Sequence, residues 1–354
     1  MHNNDSPRLL KDIQAQPETL AGVLAYHSTA GYAAINAAAA LLRSARRIVI
    51  TGMGASLFAS VPLDYYLSGH GMQVVVLEAA EFLHYRLRDA EGAVVLMVSR
   101  SGDSIEIAKL VDALRGRTPI VGVTNEPGSA MARLADCCVH LRSQPDEMVA
   151  IQTYTATVLT LMLLGGAVAG DWATAHDEAS RALADLPGLI ERCSAAIPEW
   201  DAFLRGGAPV YLMGRGPSCA SMLEGVLLFH ETAKAPAVGM PAASFRHGPV
   251  EMVDSDFRGL IFVPNGPTRD LNLALARDLD RFGGMVRVIG PAGPDTDGLE
   301  CCETPTLSSS FAPLLEIVPV QFAALRLACL KGLKVGGFRY TPQVTRDEAR
   351  FSNV

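Results

Sequence analysis

The chain of 354 residues is rich in apolar residues and moderately acidic. Hydrophobic residues make up 49% of it and charged residues 19%, and the formal net charge at pH 7 is −7. This composition excludes a disordered chain, and the length suffices for one large or two medium domains with buried cores. The negative charge, with no long basic run, argues against a general nucleic-acid or anionic-membrane surface. It does not exclude a small anionic ligand, which backbone N–H groups and hydroxyls can bind locally.

The N-terminus and the cysteines predict a soluble, cytoplasmic protein. Residues 1–7 have neither the basic region nor the apolar stretch of a signal peptide. The longest apolar stretch, 155–170, is about 16 residues long, which is short for a membrane span and predicts a buried helix. None of the 7 cysteines has a partner at zinc-ligand spacing, so we expect reduced thiols and no metal site.

A lead-in of residues 1–24 precedes the first apolar run that ends in glycines. Residues 46–56 carry this run into Gly52-x-Gly54-x-Ser56, and a helical pattern follows. Further short runs of Val, Ile and Leu alternate with helical stretches, at 73–77, 93–98 and 119–123. This alternation is typical of a parallel sheet covered on both faces. We therefore predict a doubly wound α/β domain over residues 25–180.

Two loops of this domain have the composition of an anion site. In the first, Gly54 and Ser56 lie where the chain turns from strand to helix, and free N–H groups there favour a phosphate-like ligand. The second loop supplies hydroxyls, a glycine and a positive charge from Ser99, Arg100, Ser101, Gly102 and Ser104, with Asp103 as the expected helix cap. Such loops meet at the carboxyl ends of parallel strands, so we expect them to bind one anion together. The alternative is that the serines only cap a helix.

The same plan recurs in the second half of the chain. Residues 208–218 run into Gly214-x-Gly216-x-Ser218, and this motif lies 162 residues after the first. Runs at 258–263 and 285–289 predict a second α/β domain over residues 195–337, after a helical connector around 186–201. The loop that follows residue 263 lacks hydroxyls, so we expect no second anion site there.

The second half carries candidate acid/base residues instead. Glu224, Leu227, Leu228 and Glu231 fall at helical spacing on one face. A carboxylate partly buried among leucines has a raised proton affinity, which suits a general base that must return its proton. The alternatives are an interface salt bridge or an exposed acid. His247, in an Arg-His-Gly-Pro turn, is the third candidate, unless it is an ordinary loop residue.

The segment Ser99–Ser104 resembles the Ser-x-Ser-Gly-Glu/Asp-Thr/Ser signature of the SIS (sugar isomerase) domain. Nearly the whole chain is similar to the isomerase half of glucosamine-6-phosphate synthase and to its relatives without a glutaminase domain. Those relatives are amino-sugar-6-phosphate deaminases, tagatose-type ketose/aldose isomerases and fructosamine-6-phosphate deglycases. Further matching segments are 10–17, 52–56, 123–129, 223–225, 245–249 and 312–319. No amidotransferase domain precedes them, so we do not expect glutamine-driven synthesis.

The resemblance implies a fold, an assembly and residue roles. The fold would be two tandem, flavodoxin-like SIS domains, each with three αβα layers, in a homodimer or dimer of dimers with a shared active site. Glu231 would move a proton between C1 and C2 of an open-chain sugar, and Glu224 would position the ligand. His247 would reach the site from the neighbouring subunit and assist ring opening. From the charge and the candidate residues we expect no cofactor, no nucleic-acid partner and no membrane partner.

The C-terminal tail, 338–354, would close the site, and it departs from the family pattern. Gln343 stands where relatives have a lysine that closes over the ligand, so imine chemistry at that position is not expected. Arg339 still fits the pattern. Near residue 150 the family's Ser-Thr-Lys is replaced, and Gln152 and Thr153 are candidate substrate-binding residues.

These residues predict an enzyme that needs no cofactor and acts on a six-carbon sugar with an anionic group at C6, either phosphate or sulfonate. Aldose–ketose isomerisation is the leading reaction because the family lysine is lost. Amino-sugar-6-phosphate deaminase and fructosamine-6-phosphate deglycase activities are the alternatives. A sugar-phosphate-binding regulator without turnover is a further alternative from a different class.

Overall fold

The computed structural model describes residues 8–333, 335, 337–340 and 344–350. Its contacts divide the chain into two units, each built around one sheet. The first-sheet unit comprises residues 18–180 and 338–354, and the second-sheet unit comprises residues 1–17 and 181–337.

The first-sheet unit contains five parallel strands in the order β2-β1-β3-β4-β5. The strands are β1 (Ile48–Gly52), β2 (Val74–Glu78), β3 (Val94–Val98), β4 (Ile120–Thr124) and β5 (Cys137–His140). The helices, of which the first and last extend into the other unit, are α1 (Arg8–His27), α2 (Tyr32–Ser44), α3 (Gly54–Phe58), α4 (Val61–Gly69), α5 (Ala79–Tyr85), α6 (Ile105–Leu114), α7 (Ala130–Leu134), α8 (Gln152–Ala169) and α9 (Trp172–Ala196).

Alternate residues of each central strand pack into two different cores. Ile48 and Ile50 of β1 lie in one core with Leu42 of α2, whereas Val49 lies in the other with Leu110 of α6. Burying each such side chain contributes roughly 1.5–3 kcal/mol, which is why these strands contain almost only Val, Ile, Leu and Met. Helices therefore cover both faces, as predicted for this half of the chain.

The second-sheet unit repeats this strand order. Its sheet runs β7-β6-β8-β9-β10, all parallel, which corresponds position by position to the first sheet. The strands are β6 (Val210–Gly214), β7 (Ala237–Pro241), β8 (Arg258–Phe262), β9 (Met285–Gly290) and β10 (Glu300–Glu303). The helices are α10 (Asp201–Leu204), α11 (Cys219–Glu231), α12 (Ala242–Phe245), α13 (Arg269–Arg281) and α14 (Pro313–Leu330).

The strands missed by the sequence analysis all lie at sheet edges. β5, β7 and β10 each have one neighbouring strand, and most of their residues are only partly buried or exposed. An edge strand needs fewer apolar side chains than a central one, so no continuous Val/Ile/Leu run marks it. The strands that do carry such runs were predicted to within one or two residues.

Within the described residues, two helices, α8 and α14, are long and apolar enough to cross a membrane by length and composition alone. Their most apolar windows are 94% and 83% buried within the structure, which is the arrangement of core helices. The burial of α8 confirms the helix predicted over 155–170. The apolar character of α14 was not noticed in the sequence, because Glu316 and two prolines interrupt the run.

Candidate active site

The two loops predicted to bind an anion lie side by side in the first-sheet unit. β1 and β3 are neighbours in the sheet, and their last residues, Gly52 and Val98, are paired in register. Each loop follows one of these strands. The Oγ atom of Ser56 accepts a hydrogen bond of 3.3 Å from the backbone N–H of Arg100, which joins the loops directly.

The serine hydroxyls of these loops accept hydrogen bonds from backbone N–H groups. Ser99 Oγ accepts from the N–H of Gly102 at 3.0 Å, and Ser101 Oγ accepts from the N–H of Asp103 at 3.3 Å. An oxygen that accepts from an amide keeps its own hydrogen for another acceptor. The Oγ atom of Ser104 is buried and has no hydrogen-bond partner among the described residues. The cluster can therefore offer several O–H groups to one bound anion.

Gly102 is required by the geometry of this loop. Its φ of +63° lies in the left-handed region, and a Cβ atom added there would overlap the side chain of Ser129. Gly54 also has a positive φ, of +49°, at the start of α3. Both glycines thus allow the sharp turn from strand to helix that places the serines.

Asp103 does not cap α6, so that prediction was wrong. The N-cap residue of α6 is Ser104, whose side chain makes no capping bond, and the first helical N–H, that of Ile105, donates to the carbonyl of Thr345 at 3.0 Å. Asp103 Oδ1 instead accepts from the N–H of Ala130, the first residue of α7, at 2.8 Å. Its carboxylate thus ties the serine loop to the next helix rather than to its own.

The serine loop is also fixed to the end of β4. The hydroxyl of Thr124 and the N–H of Asn125 both donate to the carbonyl oxygen of Arg100, each at 3.0 Å. The Asn125 side chain in turn exchanges two hydrogen bonds with the backbone of Ser143. Arg100, the candidate positive charge, is partly buried in this loop. Sequence reasoning noted residues 123–129 only as a family match and missed this supporting role.

Gln152 and Thr153 begin α8, and both have structural partners. The Gln152 side-chain oxygen accepts from the hydroxyl of Thr19 at 2.6 Å. The buried Asp146 carboxylate accepts from the N–H groups of Gln152 and Thr153, at 2.7 and 3.1 Å, and from the Thr153 hydroxyl. Burial raises the pKa of Asp146, and these hydrogen bonds oppose the shift. Sequence reasoning missed Asp146, and a ligand-binding role for its two neighbours stays a prediction.

The described part of the tail is held against α5 and α6. Glu348 contacts Lys109 at 2.7 Å and His84 at 2.6 Å, and these contacts, the lysine first, lower the pKa of its carboxyl. Arg339 is exposed. Gln343 lies outside the described residues.

The two candidate carboxylates of the second-sheet unit lie on α11 and differ in burial. Glu224 is 1% exposed and Leu228 is equally buried, whereas Glu231 ends the helix and is only partly buried. The amine of Lys234 donates to the backbone carbonyl of Glu231. The two acids therefore lie on one face of α11, with Glu224 in the core and Glu231 partly buried at the end of the helix.

His247 lies two residues after α12, and its side chain is exposed. The backbone N–H of His247 donates to the backbone carbonyl of Ser244 at 3.0 Å. The next residue, Gly248, has a φ of +119°, which a residue with a side chain would rarely adopt. The turn therefore presents the imidazole outward.

An acidic side chain of the protein itself, that of Glu316, lies against the glycine-rich loop that follows β6. Ser218 and Ser221 donate their hydroxyls to Glu316, at 3.0 and 3.2 Å. Glu316 lies in the first turn of α14 and is 1% exposed. Burial raises its pKa to about 8, against the two serine hydrogen bonds, so the carboxyl is largely neutral at pH 7. The sequence analysis did not single out this residue.

Among the described residues, no group of three or more His, Cys, Asp or Glu side chains could hold a metal ion, and all seven cysteines are free thiols.

The sequence of the chain is similar to the SIS domain and to known proteins. Residues 41–167 match the model of the SIS domain. The chain is 30% identical to a glutamine–fructose-6-phosphate aminotransferase (isomerizing) from Pyrobaculum aerophilum, over 98% of its own length and 57% of that protein. The first half of the chain therefore carries a SIS domain, and the chain spans little more than half the length of the curated relatives that it matches.

Solved structures show the same fold. The C-terminal domain of glucosamine-fructose-6-phosphate aminotransferase from Francisella tularensis is similar with a TM-score of 0.81 and 18% identity, over 95% of this chain and 99% of that one. Tagatose-6-phosphate ketose/aldose isomerase from Escherichia coli is similar with a TM-score of 0.78 and 18% identity, over 96% of this chain and 98% of that one. At these identities the likeness concerns the fold alone.

Proposed function

We propose that the protein is an aldose–ketose isomerase that acts on a six-carbon sugar with an anionic group at C6. The serine cluster is the observation that carries the proposal. Ser56, Ser99 and Ser101 each accept a backbone N–H, which leaves three O–H groups for one ligand anion. Hydrogen bonds to a charged acceptor are the strong ones, so such a cluster can fix a phosphate or sulfonate without a resident metal.

Proton transfer is assigned to residues of the second-sheet unit. Glu231, as a carboxylate, removes the proton from C2 of the open-chain aldose to give a cis-enediolate and returns it to C1, while one proton passes from O2 to O1, so that C2 becomes the carbonyl carbon of the ketose. Glu224 positions the sugar, and the exposed His247 assists ring opening as part of a homodimer with shared active sites. Moving one proton between adjacent carbons needs a base that can also act as an acid, and no cofactor.

The repeated strand order supports the further proposal that the second-sheet unit is a second SIS domain, since β7-β6-β8-β9-β10 corresponds to the order of the first sheet. On the similarity to enzymes of sugar-phosphate metabolism, we place the protein in the cytoplasm.

The test is proton NMR in D₂O with glucose, fructose, tagatose and glucosamine 6-phosphates, a fructosamine 6-phosphate and 6-sulfo analogues. We expect enzyme-dependent loss of the C1 or C2 proton signal of one sugar. Glu231→Gln should lower kcat about 10³-fold, within the usual range for removal of a general base. Glu191→Gln, an exposed carboxylate on α9, is the matched control and should leave kcat unchanged. Full turnover by Glu231→Gln would remove the proposal.

A second candidate is an amino-sugar-6-phosphate deaminase, a reading favoured by the similarity to an aminotransferase. Release of ammonia during the same experiment would identify it, and amine release from the fructosamine phosphate would identify a deglycase. Binding of a sugar phosphate without exchange of its protons would identify a regulator.

A further inference from the structure

A cavity of about 450 Å³ opens in the second-sheet unit, at the end of the sheet where β6 begins. One side is apolar, formed by Leu327, Leu330 and Pro236. Arg205 and Lys331 bring positive charge to it, and none of its lining residues is acidic. Its volume is in the range of pockets that hold small organic ligands.

A buried arginine lies behind the wall of this cavity. Arg258, the first residue of β8, is only 5% exposed, and its Nε and Nη1 atoms have no hydrogen-bond partner within the described part of the chain. Its guanidinium lies against Gly206, a residue of the wall, so closely that a Cβ atom added there would overlap it. Because residue 206 is a glycine, the guanidinium packs directly against the backbone of a residue that lines the cavity.

Arg205 and Lys331 each have a structural role besides lining the cavity, whereas no such role is seen for Arg258 among the described residues. Lys331 and Arg205 directly follow α14 and α10, where a cation offsets the helix dipole. The Lys331 amine also donates to the backbone carbonyl of Lys234 at 2.9 Å, and Nη2 of Arg205 lies 3.8 Å from Oδ2 of Asp201. Arg258 begins a strand, and a buried guanidinium with unsatisfied N–H groups is costly unless an anion pairs with it.

We infer that this cavity is a second ligand site, distinct from the serine cluster, and that it binds a small organic anion with a carboxylate or phosphate group on an apolar body. In this proposal the anionic group lies toward Gly206, between the lining cations Arg205 and Lys331 and the guanidinium of Arg258 behind the wall. The apolar body packs on Leu327, Leu330 and Pro236. The site lies wholly in the second-sheet unit and does not depend on the proposed isomerase activity.

The probe is 1-naphthyl phosphate, whose binding to the whole chain is followed by calorimetry and by its fluorescence. Because this probe also carries a phosphate, each titration is repeated in Ser99→Ala/Ser101→Ala, in which the serine cluster is weakened. We expect one site to persist there. A parallel titration with 1-naphthoate distinguishes carboxylate from phosphate as the better anion.

Variants locate the site. Arg258→Met should weaken binding tenfold or more and Lys331→Gln about threefold, as expected for loss of a charge-assisted hydrogen bond and of a more exposed charge. The control Arg281→Gln removes an exposed arginine of α13 and should change nothing. Neutral 1-naphthol should bind equally to all of them, because it lacks the charge.

Two results would overturn the inference: no binding of either anion at 1 mM, or unchanged affinity in Arg258→Met and Lys331→Gln. If Arg258→Met does not fold, the double variant Arg205→Gln/Lys331→Gln decides, since both side chains are at the surface. A normal affinity in that variant would likewise reject the site. Failure of the isomerase proposal would leave all these titrations unchanged.

Discussion

The two glycine-rich loops occupy equivalent places in their sheets but differ in what their hydroxyls do. After β1, Ser56 accepts a hydrogen bond from a backbone N–H, which does not use the hydrogen of its hydroxyl. After β6, Ser218 gives its hydrogen to Glu316, a carboxyl of the protein's own chain. One backbone plan thus allows two arrangements: hydroxyls bonded to an internal acid after β6, and after β1 a hydroxyl whose hydrogen is not used by the protein, where we propose that an anion binds.

The largest expected effect comes from replacing two serines with alanine in the loop after β3, which Ser56 joins to the loop after β1. Ser99→Ala/Ser101→Ala should weaken binding of the sugar phosphate about 100-fold or more, through loss of two charge-assisted hydrogen bonds. It should lower the free energy of unfolding by only about 1 kcal/mol, for the N–H of Gly102 left without its acceptor. Calorimetric titration and urea unfolding measure the two quantities.

Ser218→Ala/Ser221→Ala is the matched variant and should show the reverse pattern. Sugar-phosphate affinity should stay near that of the wild type, while the free energy of unfolding falls by about 2–4 kcal/mol, because the buried Glu316 carboxyl loses both donors. Equal loss of affinity in the two double variants would contradict the assignment of the loops.

An effect that depends on pH should follow from removing the charge that Glu316 can acquire. The pKa of this acid is about 8 in the folded protein against 4.5 in an unfolded chain. Below pH 4.5 both states are protonated. As the pH rises from there toward 8, the unfolded state ionises first, so stability falls.

Glu316→Gln keeps hydrogen-bonding groups but cannot ionise. Its free energy of unfolding should fall less steeply over this pH range, with a gain over the wild type of roughly 4 kcal/mol at pH 8. Urea unfolding at several pH values measures the slopes, and Glu191→Gln should keep the wild-type slope. Parallel slopes for Glu316→Gln and the wild type would show that Glu316 is not a neutral, buried acid.

The smallest expected effect concerns the glycines with positive φ. Gly102 and Gly216 have φ of +63° and +55°, but only at Gly102 would a Cβ atom overlap a neighbour, Ser129. Gly216→Ala should therefore cost about 1 kcal/mol, for the backbone alone, and Gly102→Ala about 2 kcal/mol. Thermal unfolding of both variants tests the order, which would be wrong if Gly216→Ala were the less stable.

Local patterns in the sequence determined the central strands and the serine loop. A central parallel strand must be apolar on both faces, so β1, β3, β4, β8 and β9 are visible as short Val/Ile/Leu runs. The serine motif is equally local, because its hydroxyls contact backbone N–H groups two or three residues away.

Only the tertiary structure decided contacts between distant segments. Glu316 meets Ser218 across 98 residues of sequence, Asp103 meets Ala130 across 27, and the Arg258 guanidinium lies against Gly206. Neither residue type nor spacing encodes such pairs, since they form only when the strand order brings separate loops together. The sequence therefore predicted the serine loop Ser99–Ser104. The contact of Glu316 with Ser218 and the cavity beside Gly206 became apparent only in the fold.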